Sequence, residues 1–193
     1  MIDKKKINQI KQWLILIFIA FILLIIQSTE IFSIFIGDLI HPKPTLVFPF
    51  AICCSLFLKK EEAAIFAYIC GLFLDCYNCV IFGFSSIILL TFCTIISIIF
   101  KRYIRICFIS VFFLNLISFL IYCFLTFIFK YMIFKVENAF SLFIFEFIPN
   151  IIYTTTISIL IFLLSKKICY NKKFKIEPKK RKFIREKRNI YEE

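Results

Sequence analysis

The sequence predicts an all-α, polytopic integral membrane protein of about six transmembrane helices with both termini in the cytoplasm. Three observations carry this. Of 193 residues, 62% are hydrophobic and the mean hydropathy is +0.94, whereas a soluble domain is nearer half apolar. The apolar residues form long runs separated by short polar breaks. Lys and Arg, 24 in all for a net charge of +12, gather at alternate breaks, the pattern that orients a membrane protein.

Residues 1–11 read as a basic cytoplasmic N-terminus, 12–165 as one membrane domain and 166–193 as a basic cytoplasmic tail. "MIDKKKINQIKQWLILIFIAFILLIIQSTE" has the basic flank of a signal peptide. Its apolar run is longer than a signal h-region and no small-residue cleavage site follows, so an uncleaved first helix is expected over about 12–32. Trp13 opens it, where an amphipathic ring suits the headgroup level. "GDLIHPKP", 37–44, breaks the chain because its two prolines disfavour helix.

The second helix is expected over 45–58, "TLVFPFAICCSLFL", with Pro49 inside. It is shorter than the ~20 residues a span needs. "KKEE", 59–62, reads as a tight polar turn, 63–82 as the third span and 83–100 as the fourth. "KRYIR", 101–105, is a basic turn before the fifth span, 106–129; the loop 130–139 leads to the sixth, 140–165.

With six spans both ends share one side. That side collects Lys4, Lys5, Lys6 and Lys11, then Lys59 and Lys60, then Lys101, Arg102 and Arg105, then the tail; the other collects Lys43, Lys130 and Lys135. Five spans would separate "KKEE" and "KRYIR" from the basic groups they belong with. The twelve Lys and Arg after residue 165 suit anionic lipid headgroups, and no nucleic-acid signature accompanies them.

Catalytic, cofactor-binding and metal sites are not expected. Nine cysteines are scattered through apolar runs, where Cys behaves as a small hydrophobe. Cys76 and Cys79 form one C-x-x-C without a second, and His41 stands alone. There is no Ser-His-Asp set, paired His or phosphate loop, and the chain reads as non-enzymatic. Ala63 and Ala67 supply a small-xxx-small pair that allows close helix packing.

Ionisable residues at membrane depth are costly and face protein or water. Here they are Glu30, Asp75 and Glu146. Asp75 lies roughly 18 Å into a ~30 Å core if the third span starts near Ala63. It reads either as an ion or proton site or partner contact, or as a carboxylate hydrogen-bonded to a neighbouring helix or turn backbone. No span holds a cation to pair with it, which favours the second reading. Glu146, Asn150 and Tyr153 share a face of the sixth helix. Pro149 beside them would free a carbonyl one turn back; the stripe reads as lining a cavity, as meeting another subunit, or as hydrogen-bonding within the bundle, where Asn115 and Ser118 of the fifth helix are placed to pair with it.

Three stretches carry a resemblance. "LLIIQSTEIFSIF" is a Leu/Ile run closed by Gln27. "CGLFLDCYNCVIFGFSSIILL" holds Gly71, Leu72 and Asp75 as Gly-Leu-x-x-Asp, with Gly83 opening the next helix. "FEFIPNIIYTTTISILIFLL" places Pro149 and Asn150 before a long apolar run. In order and spacing the chain resembles the MreD family of bacterial rod shape-determining proteins. "KPTL" departs from the family's Pro-Asp before the second helix by having Thr45. The resemblance implies a non-catalytic inner-membrane component of the cell-elongation machinery of peptidoglycan synthesis. It would act by helix contacts beside a bitopic MreC-like protein, an MreB-like actin homologue and the wall synthases RodA and a class B penicillin-binding protein. It also implies structural or assembly roles for Gln27, Gly71, Asp75, Gly83, Asn115, Glu146, Pro149 and Asn150. The alternative is a substrate-binding subunit of an energy-coupling-factor vitamin transporter. Those subunits carry Ala-x-x-x-Ala on their first helix, whereas here the first helix holds only Ala20.

Overall fold

The computed structural model describes residues 4–29, 45–78, 82–103, 107–129 and 147–170. Among these there are six helices and no strand: α1 (Lys4–Ser28), α2 (Val47–Ser55), α3 (Lys60–Asn78), α4 (Phe84–Tyr103), α5 (Phe108–Phe127) and α6 (Ile148–Tyr170). Two of them, over Phe108–Phe127 and Ile148–Ile168, are long and apolar enough to cross a membrane on their own.

The helices alternate in direction. Trp13 meets Phe66 and Phe21 meets Phe73, so α1 and α3 run parallel. The end of α3 meets the start of α4 through Asp75 and Ser85. Phe84 at the start of α4 meets Phe129 just beyond α5. Phe108 and Phe127, at opposite ends of α5, meet Phe162 and Phe147. Gln27 near the end of α1 meets the start of α2. Thus α1, α3 and α5 run one way and α2, α4 and α6 the other. The ends where α1, α3 and α5 start hold Lys59, Lys60, Lys166 and Lys167; the opposite end holds no Lys or Arg among the described residues.

α2 is the hub. It packs against all five other helices, and every one of its residues is buried. Phe48 lies 5.3 Å from Phe119 and 4.9 Å from Tyr122 between ring centroids, Phe50 lies 5.8 Å from Phe66, and Phe57 just after the helix stacks on Phe162. At nine residues it is about 13.5 Å long, shorter than the expected 45–58. Pro49 is tolerated because it is the third helical residue, and the first four N–H groups of a helix have no intrahelical partner. The helix ends in a tight turn, with the N–H groups of Phe57 and Leu58 both on the Cys54 carbonyl.

The outer helices invert the soluble pattern. Leu14 and Phe18 on α1 are each 62% exposed, Ile109 on α5 72% and Leu160 on α6 64%, while Gln27, Asp75, Asn115 and Thr154 are buried. Outward apolar and inward polar side chains suit a hydrocarbon surround.

Several boundaries differ from expectation. α3 begins at Lys60, so "KKEE" is largely a helix start rather than a turn. Glu62 Oε2 accepts the Lys59 N–H at 3.4 Å, half of a capping box, and Glu61 and Glu62 in the first turn complement the helix dipole. α1 closes at Ser28, where the hydroxyls of Ser28 and Thr29 bond the carbonyls of Leu24 and Ile26. α6 runs to Tyr170, five residues into the expected tail. Glu30, His41, Cys79 and Glu146 lie outside the described residues.

Candidate functional site

Asp75 lies in the last turn of α3, 4% exposed, and its carboxylate reaches the start of α4. Oδ1 accepts the N–H of Ser85 at 2.8 Å. Oδ2 accepts the N–H of Gly83 at 3.0 Å, the N–H of Ser86 at 3.2 Å and the Ser86 hydroxyl at 2.6 Å. Gly83 precedes the first residue of α4, so these are donors that every helix start leaves without an intrahelical partner. Asp75 therefore does from another helix what an Asp N-cap does from its own.

This geometry removes the need for a cation. A helix N-terminus carries roughly half a positive charge and its N–H groups point outward. Four charge-assisted hydrogen bonds replace the water that the carboxylate lost. Oδ2 takes three of the four donors and Oδ1 one, so both oxygens are held by the start of α4 and the group acts as a cap.

Two glycines shape this joint for different reasons. Gly71 lies one turn before Asp75 on the same face of α3. A Cβ built on it would collide with the Ser86 Cα, lie 2.8 Å from the Ser86 N and 3.1 Å from the Ser85 carbonyl oxygen. Gly83 has open space around its missing side chain; its requirement is a φ of +92°, which L side chains rarely adopt. Close helix approach thus explains Gly71, while backbone conformation explains Gly83. The joint continues into α5 through Ser85 Oγ and Tyr122 Oη, 3.1 Å apart.

Gln27 performs a parallel task for α2. Its Oε1 accepts the N–H of Leu46 at 3.0 Å and of Val47 at 3.4 Å. The preceding N–H, of Thr45, goes to Thr154 Oγ1 on α6 at 3.3 Å, and that hydroxyl donates to Asn150 Oδ1 at 3.1 Å. At the end with no Lys or Arg among the described residues, Gln27 of α1 and Asp75 of α3 cap helices, α2 and α4, that run the opposite way.

The other expected groupings are rearranged. Asn115 does not meet the Asn150 stripe: its Nδ2 donates to the Val111 carbonyl at 3.0 Å and to Cys53 Sγ of α2 at 3.6 Å, because that face of α5 packs on the central helix. Pro149 is the second residue of α6, and the carbonyl one turn before it lies outside the described residues. Asn150 pairs with Thr154 one turn on, and Glu146 is outside the described residues. Cys76 is exposed. Ala63 and Ala67 are fully buried. Sequence reasoning passed over Ser85, Ser86, Tyr122 and Thr154. The signal available was "GFSS", a Gly followed by two serines at a helix start.

The sequence profile of the family described as rod shape-determining protein MreD matches residues 7–171. The chain belongs to the MreD family. No curated protein and no solved structure gives a significant match. Described residues from each of the three stretches that carry the resemblance to MreD bear on a helix start. Gln27 caps α2, the Gly71–Asp75 pair seats α4, and Asn150 holds the threonine that receives the chain entering α2.

Proposed function

We propose that this MreD-family protein is a non-catalytic membrane component of the bacterial cell-elongation machinery. In this reading it spans the inner membrane six times with both termini cytoplasmic, and it acts through helix contacts with membrane partners. The observation that carries the reading is the family match over residues 7–171, which places the chain among shape-determining proteins. The alternation of helix direction and the basic residues at one end support the topology. The engagement of both Asp75 oxygens by the start of α4 supports a scaffold rather than a carrier. The partners proposed are membrane lipid, an MreC-like bitopic protein and, directly or through it, an MreB-like filament, RodA and a class B penicillin-binding protein.

Depletion in the native cell tests the reading. Rods should round into spheres and new wall synthesis should spread over the whole surface, and affinity purification from native membranes should bring down wall-synthesis proteins. Normal rods and co-purification of an ATPase pair would overturn it in favour of a transporter subunit.

A further inference from the structure

Three buried side-chain atoms among the described residues have no hydrogen-bond partner: Gln27 Nε2, Thr45 Oγ1 and Asn115 Oδ1. Asn115, on α5, lies apart from them, beside Cys53 near the far end of α2. The other two belong to one place, the start of α2. The Gln27 amide is fixed there by its oxygen on the N–H groups of Leu46 and Val47. Thr45 is the next residue back, held by its N–H on Thr154. Gln27 is 4% and Thr45 6% exposed, so bulk solvent satisfies neither.

The two groups are complementary in kind. The amide nitrogen offers two donors, and the hydroxyl offers one donor and two acceptor positions. They do not bond each other. Leaving such groups unpaired inside a membrane protein is costly. A small molecule that both accepts and donates resolves both at once, and buried waters characteristically serve two to four such groups.

We infer that the start of α2 is a binding site for one ordered water, which accepts from Gln27 Nε2 and shares a hydrogen bond with Thr45 Oγ1. The water completes a joint of three helices. It ties α1 to the residue entering α2, and the Thr45 N–H already ties that residue to Thr154 and Asn150 of α6. The start of α2 is then capped by a glutamine oxygen and a threonine hydroxyl, and the water braces the two side chains, Gln27 and Thr45, at that cap.

The test uses the full-length protein in lipid nanodiscs, with the side-chain amide of Gln27 assigned by its disappearance in Gln27→Glu. A cross-peak between that amide and a long-lived water is expected in the native chain and in Thr45→Ser, and should be lost in Thr45→Val. Thr45→Val should also lower the thermal midpoint, because it strips the water of a partner. An unpartnered hydroxyl would behave oppositely, since its replacement by a same-shaped apolar group is neutral or stabilising. Absence of the cross-peak in the native chain overturns the site, as does a Thr45→Val protein that melts at or above the native temperature. If Thr45→Val fails to fold, the native and Thr45→Ser spectra decide alone.

Discussion

Gly71 and Asp75 lie one helical turn apart on α3 and bear on the same residue of α4, Ser86. The glycine admits the Ser86 backbone to van der Waals distance, and the aspartate binds its N–H and its hydroxyl. Neither residue accounts for the joint alone. Without the space at position 71, the first turn of α4 would stand too far from α3 for a short Asp side chain to reach three of its N–H groups.

The two glycines should therefore respond differently to the same change. Gly71→Ala drives a methyl group into the Ser86 backbone, which has no flexible end to yield. The cost should be at the upper end of the roughly 1–3 kcal/mol typical of overpacking. Gly83→Ala meets no atom within 4 Å and strains only φ, at about 1–2 kcal/mol. Membrane abundance and thermal midpoint of the two variants measure this. Gly71→Val should be worse than Gly71→Ala, and Gly83→Asn, which tolerates positive φ, should be milder than Gly83→Ala.

Gln27 offers a cleaner separation of polarity from packing. Gln27→Glu keeps an acceptor for the N–H groups of Leu46 and Val47, whereas Gln27→Leu keeps the bulk and strands both. The Leu variant should lose about 1–3 kcal/mol from unsatisfied buried donors. Because α2 touches every other helix, that loss should appear as global destabilisation rather than local fraying. Proteolysis of the variant in detergent, compared between the two ends of the chain, reads this out. Cleavage confined to one end would contradict the hub role of α2.

Much of this architecture was legible in the sequence, because apolar runs and Lys placement report on membrane exposure directly. The all-helical class and the approximate helix positions follow from them, as does the preference for a hydrogen-bonded Asp75. What periodicity could not supply is which helix a polar side chain faces. The sequence suggests pairing of Asn115 with the Asn150 stripe, but Asn115 sits on the face of α5 toward α2 and reaches Cys53. Pro49 and the short run around it looked weak for a span. In three dimensions that segment is the most enclosed helix of the fold. Ser85 and Ser86 matter chiefly through their backbone N–H groups, which composition does not reveal.

Sidedness can be checked with two native cysteines. Cys169 lies in α6 beside Lys166 and Lys167, at the basic end, and Cys76 is exposed near the other end of α3. A membrane-impermeant thiol reagent applied to intact cells should spare single-Cys Cys169, and the same reagent should label it once the membrane is opened. Labelling of Cys169 from outside would reverse the proposed orientation.

Asp75 itself permits the sharpest experiment. A carboxylate making one neutral hydrogen bond would tolerate Asn, but this one accepts four donors across both oxygens. Asp75→Asn must turn an NH2 group toward at least one backbone N–H of α4, and it removes the negative charge that complements the helix N-terminus. The expected loss is about 1–3 kcal/mol. Asp75→Leu strands every donor and should cost about 3 kcal/mol or more, with reduced membrane abundance. Asp75→Glu keeps the charge but overreaches a joint set by the close approach at Gly71, so it should fall between native and Leu. Complementation of a depletion strain should then track abundance across the series: cell shape recovers to the extent that folded protein accumulates. A capping residue requires that single ordering. Should Asp75→Asn accumulate to native levels and still leave cells spherical, the charge would have a task beyond holding α4, and the structural assignment of Asp75 would fail.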